Sequence, residues 1–319
     1  MAHARRFRFG VIVEQAHTPE TWVALARRAE TLGYATVLIR DHFAPDFFGD
    51  QLAPFSALAT AAAVTSRLRV GTMVIDNDYR HPVVLAKEAA TLDALSGGRL
   101  ELGLGAGWLR REYEQAGLPF DPPGVRVSRL EESIQVLKGL FGSAPVDFAG
   151  AHYRIEGLRG FPAPRQRPHP PLLIGAGSPR MLRIAGREAD IVGVLTSSTR
   201  TGTLIPDPTE RLAASVEDKL DWIRAGAGAR FPEIELSLIA DLTVTDRRAE
   251  AVEGLIAARQ WQHVKPADVL AMPATLMGTH EEIAAGIAER RDRFGFSYYV
   301  VPDRALEDFA PVVAALAGR

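Results

Sequence analysis

Hydrophobic residues along this chain switch between two spacings. Short, nearly continuous apolar runs alternate with longer stretches in which apolar residues recur every three or four positions, the repeat that places them on one helix face. Residues 7–13 form the first run and predict a strand. Thr18, Pro19 and Glu20 then supply the cap, first-turn proline and acidic residue that open a helix, with Trp22, Leu25, Ala29 and Leu32 on its inner face and Gly33 at its end. Residues 35–39 predict strand two, 54–68 an alanine-rich helix, and 69–75 strand three.

Residues 80–108 are one complete helix-plus-strand unit. Pro82 suits a first helical turn, Leu85, Ala89, Leu92 and Leu95 share a face, and Gly97 and Gly98 stop the helix. Residues 99–104 predict strand four, which runs into Gly103, Gly105, Gly107 and Trp108. Glycines at every second position of a strand end mark either backbone that lies close against something flat or phosphorylated, or a tight turn after a barrel strand; both readings stand.

Val127, Leu130, Ile134, Leu137 and Phe141 define the next helix face. Residues 143–170 break the rhythm: proline-rich, with two short strand-like runs around Gly150, they predict an inserted hairpin and loop. The alternation then resumes with strands at 171–175, 191–195, within 234–244, and at 297–301, and helices between them. Thr279 to Glu282 reads as a capping box. Pro311, inside the last helical pattern, predicts a kink or the true start of that helix.

Eight strand–helix units in one chain predict a single (β/α)8 TIM barrel domain over residues 1–319, with the insertion around residues 143–170 at its carboxyl face or edge. An open doubly wound sheet would carry a glycine-rich dinucleotide fingerprint after strand one; Glu14, Gln15, Ala16 and His17 stand there instead. A net charge of -2 with mixed signs argues against a nucleic-acid surface. Without cysteine there is no disulfide, thiol nucleophile or zinc-thiolate site. No apolar run approaches a membrane span, so a soluble cytoplasmic protein with a small-molecule substrate is expected.

Barrel enzymes place their chemistry at the carboxyl ends of the strands. Those ends here offer Glu14 and Gln15, Asp41 and His42, Asp76 and Asn77, the strand-four glycines and Trp108, Gly175 to Ser178, Thr196 to Ser198, Asp241 or Asp246, and Pro302 and Asp303. His42 is the leading acid–base candidate, because histidine alone titrates near neutrality unperturbed, and Asp41 is expected to orient it. The other histidines fall in predicted loops or caps. No pair shows metal-ligand spacing, so no metal site is expected. Gly175, Gly177 and Ser178 end a strand and open a helix, where free N–H groups form an anion site.

These residues together resemble the luciferase-like flavin and deazaflavin oxidoreductase superfamily. The resemblance spans nearly the whole chain and is carried by Asp41-His42-Phe43, Arg69 to Thr72, Arg80-His81-Pro82, Leu95 to Arg99 with Gly103 to Trp108, and Pro171 to Ser178 with Ala189-Asp190. Residues 77–82 and 124–132 are most similar to the actinobacterial coenzyme F420-dependent oxidoreductases.

The resemblance implies a barrel that binds the ring of F420, or alternatively FMN, at the carboxyl ends of the strands. It implies a bulge with a non-proline cis peptide near Met73–Val74, ring contacts from Asp41 and His42, and phosphate contacts around Gly175, Gly177 and Ser178. Asn77, Gly105, Gly107, Trp108 and Thr196 complete the implied cofactor side. It implies a homodimer and an F420-dependent hydride transfer to or from a small organic substrate, with His42 as proton carrier. The alternatives are an FMN-dependent monooxygenase and a non-catalytic cofactor-binding flavoprotein. One position departs: sugar-phosphate dehydrogenases of the superfamily carry a catalytic glutamate where this chain has Trp108.

Overall fold

A computed structural model of the chain describes residues 5–16, 18–44, 48–197, 199, 202–204, 207–261 and 263–319; His17 and Ser198 lie outside them. Eight parallel strands close on themselves: β1 (Arg8–Ile12), β2 (Thr36–Ile39), β3 (Arg69–Thr72), β4 (Leu100–Gly105), β5 (Leu172–Ala176), β6 (Ile191–Val194), β7 (Glu235–Ile239) and β8 (Phe296–Pro302). Closure comes from two pairings, β8 beside β1 with Gly10 opposite Val300, and β3 beside β4 with Val70 opposite Leu100. An open sheet would leave two edges unpaired; this one leaves none, which settles the choice between the two α/β architectures.

Helices α1 (Pro19–Thr31), α2 (Pro54–Val64) and α3 (Pro82–Leu95) cover the first strands. Each opens on a proline, where the missing N–H has no partner to lose. Trp22 of α1 is buried and donates from Nε1 to the Ala57 carbonyl of α2 at 2.8 Å, so its burial, about 1.5–3 kcal/mol, leaves no polar atom unpaired. Inside the barrel, Ile12, Leu38, Leu173, Ile191, Tyr298 and Val300 pack together, with Met73, Val74 and Ile239 against them.

A polar cluster fills the amino end of the barrel. Glu101 accepts from Arg69 Nε at 2.6 Å and from Arg8, which also reaches Glu235 at 2.6 Å. Arg8 lies over the Tyr298 ring at 3.7 Å. Burial alone would raise the Glu101 pKa, but Arg8 and Arg69 outweigh it and hold the carboxyl below its ordinary value.

The insertion is a hairpin, Val146–Ala149 against Arg154–Leu158, as expected. It runs beside α5 (Pro123–Phe141), which follows the short α4 (Arg110–Ala116): Glu132 of α5 takes the N–H groups of Ala151, His152 and Tyr153 at the hairpin tip. The returning chain is fixed by Asp93 of α3, which accepts from the N–H groups of Arg165 and Gln166.

Three details differ from the sequence pattern. The seventh run splits after Ile239, and Asp241–Val244 leaves the barrel to pair with Thr275–Gly278, a strand that the helical reading of that region missed. The last helix, Leu306–Leu316, begins before Pro311 and continues through it. Finally, α4 falls where no helix was expected. Among the described residues no helix is long and apolar enough to cross a membrane.

Candidate functional site

At the mouth of the barrel β3 does not simply end. Gly71 pairs with Glu101 and Ile75 with Leu104, so the β3 side uses one residue more than β4 over that interval. That is a bulge, and it holds the cis peptide between Met73 and Val74 at the expected position. Thr72 bridges the gap in the ladder: its Oγ1 accepts from Gly103 N at 2.8 Å and donates to Gly103 O at 2.9 Å.

The bulge explains the glycines of β4. A Cβ on Gly103 would stand 1.9 Å from the Thr72 carbonyl oxygen, and one on Gly105 would stand 2.7 Å from Val74 Cγ2. A Cβ on Gly175 in β5 would meet Val74 from the other side at 3.2 Å. Gly107 has φ of +71°, and a Cβ there would lie 1.8 Å from the Tyr113 hydroxyl. Gly105 and Gly107 were expected on the cofactor side; the space of their missing side chains is taken by Val74 of the bulge and by Tyr113.

Asp41 and His42 leave β2 in different directions. Asp41 is buried and grips Arg80 through both carboxylate oxygens, with Asp76 N donating to it at 3.3 Å. It does not orient His42, which corrects the expectation: adjacent residues of an extended chain point apart, and Arg80 is the nearer and stronger partner. The partner of His42 is Glu112 on α4, whose Oε2 lies 2.8 Å from Nδ1. Trp108 stands edge-on to the imidazole with centroids 6.0 Å apart, and Phe48 lies 5.0 Å away.

Glu112 was absent from the sequence reading. The signal was there: Arg110 to Ala116 is a short polar run closed by Gly117, which takes the left-handed φ of +70° that ends helices. Glu112 accepts four hydrogen bonds, from Phe43 N (2.8 Å) and Ala44 N (2.9 Å) at Oε1, and from His42 and the Tyr79 hydroxyl (3.1 Å) at Oε2. Burial pushes its pKa up, but the bonds from His42 and the two backbone N–H groups prevail, and the carboxyl sits below its ordinary value.

A second acidic group behaves oppositely. Asp76 accepts the Tyr113 hydroxyl at 2.8 Å and Asp78 N at 3.0 Å, and no cation pairs with it among the described residues. Burial, with the charges of Asp78 and Asp41 added, outweighs those bonds and raises its pKa to about 7. Next to it Asn77 donates from Nδ2 to Tyr153 of the hairpin tip at 3.3 Å, while its buried Oδ1 has no partner among the described residues.

Ser178 caps α6 (Pro179–Glu188), but its side chain makes no capping bond and is exposed. Gly177 sits against Leu195, which would be 3.2 Å from an added Cβ, and Thr196 beyond it is buried. Across the mouth, Glu14 pairs with Arg40 at 2.7 Å and with Arg304, while Asp303 accepts from the N–H groups of Glu14 and Gln15. This stitches the ends of β1, β2 and β8 together.

The luciferase-like monooxygenase family matches residues 4–284, and the chain belongs to that family. It is 36% identical over 176 residues to the F420-dependent glucose-6-phosphate dehydrogenase of Amycolatopsis mediterranei, a match covering 54% of this chain and 52% of that protein. To the enzyme of the same name from Gordonia bronchialis it is 35% identical over 249 residues, covering 76% of this chain and 71% of that one. The chain thus spans about half the length of the first of these relatives. The fold superposes on the F420-dependent tetrahydromethanopterin reductase of Methanopyrus kandleri with a TM-score of 0.76 at 20% identity, over 98% of this chain and 99% of that one.

Proposed function

We propose that this protein is an F420-dependent oxidoreductase that transfers a hydride between the deazaflavin and a small organic substrate, with His42 giving or taking the accompanying proton. The observation that carries the reading is the His42–Glu112 pair beside Trp108 at the carboxyl ends of the strands. Relatives named for F420 dependence support the choice of cofactor.

The residues at the mouth fit such a group. The bulge presents Met73 and Val74, both only partly buried, as an apolar wall suited to a flat ring. Asn77 Oδ1 is an acceptor without a donor among the described residues. The Ser178 hydroxyl, which makes no capping bond, and the amino end of α6 suit a phosphate. The bound deazaflavin supplies hydride chemistry; the protein's part is to position and to manage protons. Trp108 stands where sugar-phosphate dehydrogenases of the family hold a glutamate. Its edge against His42 favours a planar or apolar substrate over a sugar phosphate.

Equilibrium titration with F420 and with FMN, followed by absorbance, tests the reading. Tighter binding of F420 is expected, and micromolar FMN binding without F420 binding would replace it with the flavin monooxygenase alternative. With a substrate found from a panel of alcohols and carbonyl compounds, His42→Ala should slow turnover about 10²–10⁴-fold and leave F420 affinity within about tenfold.

A further inference from the structure

We propose that Glu112 is a positioning residue that fixes the ring orientation and tautomer of His42 so that Nε2 alone faces the chemistry; this rests on the reading of His42 as proton carrier. Oε2 of Glu112 lies 2.8 Å from His42 Nδ1, and Nε2 makes no hydrogen bond among the described residues. A carboxylate can only accept, so Nδ1 carries a proton in either charge state of the ring. Nε2 is then the nitrogen that holds or lacks the exchangeable proton. The carboxylate is itself immobilised. Two consecutive backbone N–H groups, of Phe43 and Ala44, hold Oε1, and the Tyr79 hydroxyl holds Oε2 together with His42. Tyr79 in turn stacks on Phe43 with ring centroids 4.3 Å apart. His42 and the residues after it are therefore clamped to one buried side chain from a different element.

Glu112→Gln separates positioning from bulk. The two backbone N–H groups need an acceptor, so the amide oxygen of glutamine takes the place of Oε1. Its NH2 group then faces Nδ1 as a donor, and His42 must present a bare Nδ1 and a proton on Nε2. Size and backbone bonds are kept while the tautomer inverts.

The test is long-range ¹H–¹⁵N correlation spectroscopy on histidine-labelled full-length protein in mildly alkaline buffer. The His42 signals are identified by their loss in His42→Asn. The expected result is a protonated Nδ1 in the native protein and a bare Nδ1 in Glu112→Gln. A bare Nδ1 in the native protein, or a protonated Nδ1 in both, overturns the proposal. If Glu112→Gln does not fold, the native spectrum decides: protonated Nδ1 upholds the assignment and bare Nδ1 removes it. These spectra need no cofactor or substrate. Unchanged turnover in His42→Ala would therefore sink the functional reading while leaving the tautomer result as it stands.

Discussion

The two ends of this barrel carry polar clusters built on opposite principles. At the amino end, Glu101 and Glu235 face Arg8 and Arg69, and the buried carboxylate has a cation on either side. At the carboxyl end each cation is committed elsewhere: Arg80 to Asp41, Arg129 to Asp78 and Arg40 to Glu14. Among the described residues, Asp76 is left with a hydroxyl and one N–H, His42 with a free Nε2, and Asn77 with an unused oxygen. At the floor the carboxylates and cations answer one another across the barrel. The mouth keeps unused bonding capacity, which binding or proton transfer requires. This matches the division of barrels into a stabilising amino face and a reactive carboxyl face.

The largest effect should come from breaking the floor. Glu101→Ala leaves Arg69 without its carboxylate and Arg8 with Glu235 alone, beside a cavity, and removing one partner of a buried ion cluster costs about 3–5 kcal/mol. Urea denaturation should show that loss, while the His42 tautomer stays unchanged. A loss below about 1 kcal/mol, the scale of an exposed pair, would erase the distinction between the two ends.

Much of this was legible in the residues. Periodicity gave the strand–helix alternation, and the absence of a glycine loop after Ile12 pointed to a barrel. The resemblance placed the cis bond at Met73–Val74. What escaped depends on side chains that meet only in three dimensions. Asp41 precedes His42, yet β geometry turns it toward Arg80. Glu112 is seventy positions' worth of chain away from His42 in the sense that only folding joins β2 to α4. The glycines of β4 announced a close approach, but not that the approaching group was Thr72 and Val74 of the neighbouring strand.

The bulge offers a middle-sized test, because it links strand packing to the mouth. Gly103→Ala places a methyl 1.9 Å from a backbone oxygen, which cannot rotate away. The bulge must shift, at a cost typical of overpacking, about 1–3 kcal/mol. Since Val74 moves with it, cofactor affinity should fall alongside stability. A variant that loses stability but binds F420 as before would detach the bulge from the binding site.

The smallest effect is confined to one range of pH. Asp76 has its pKa raised to about 7, first by burial and then by the nearby charges of Asp78 and Asp41, whereas an unfolded aspartate ionises near 3.9, so between about pH 4 and pH 7 the folded protein binds a proton that the unfolded chain has released. Stability from this group therefore falls as pH rises through that window and levels off above it. At about 1.4 kcal/mol per unit, the ceiling is on the order of 4 kcal/mol, and relaxation around the ionised carboxylate brings the expected loss to about 1–2 kcal/mol. Asp76→Asn keeps an oxygen to accept from Tyr113 and Asp78 N but cannot ionise. Its stability should match or trail the native protein at pH 4 and gain on it steadily toward pH 8, as followed by urea denaturation at each pH. Parallel curves would show that Asp76 does not titrate in that range. The mouth would then hold its carboxylates as firmly charged as the floor holds Glu101.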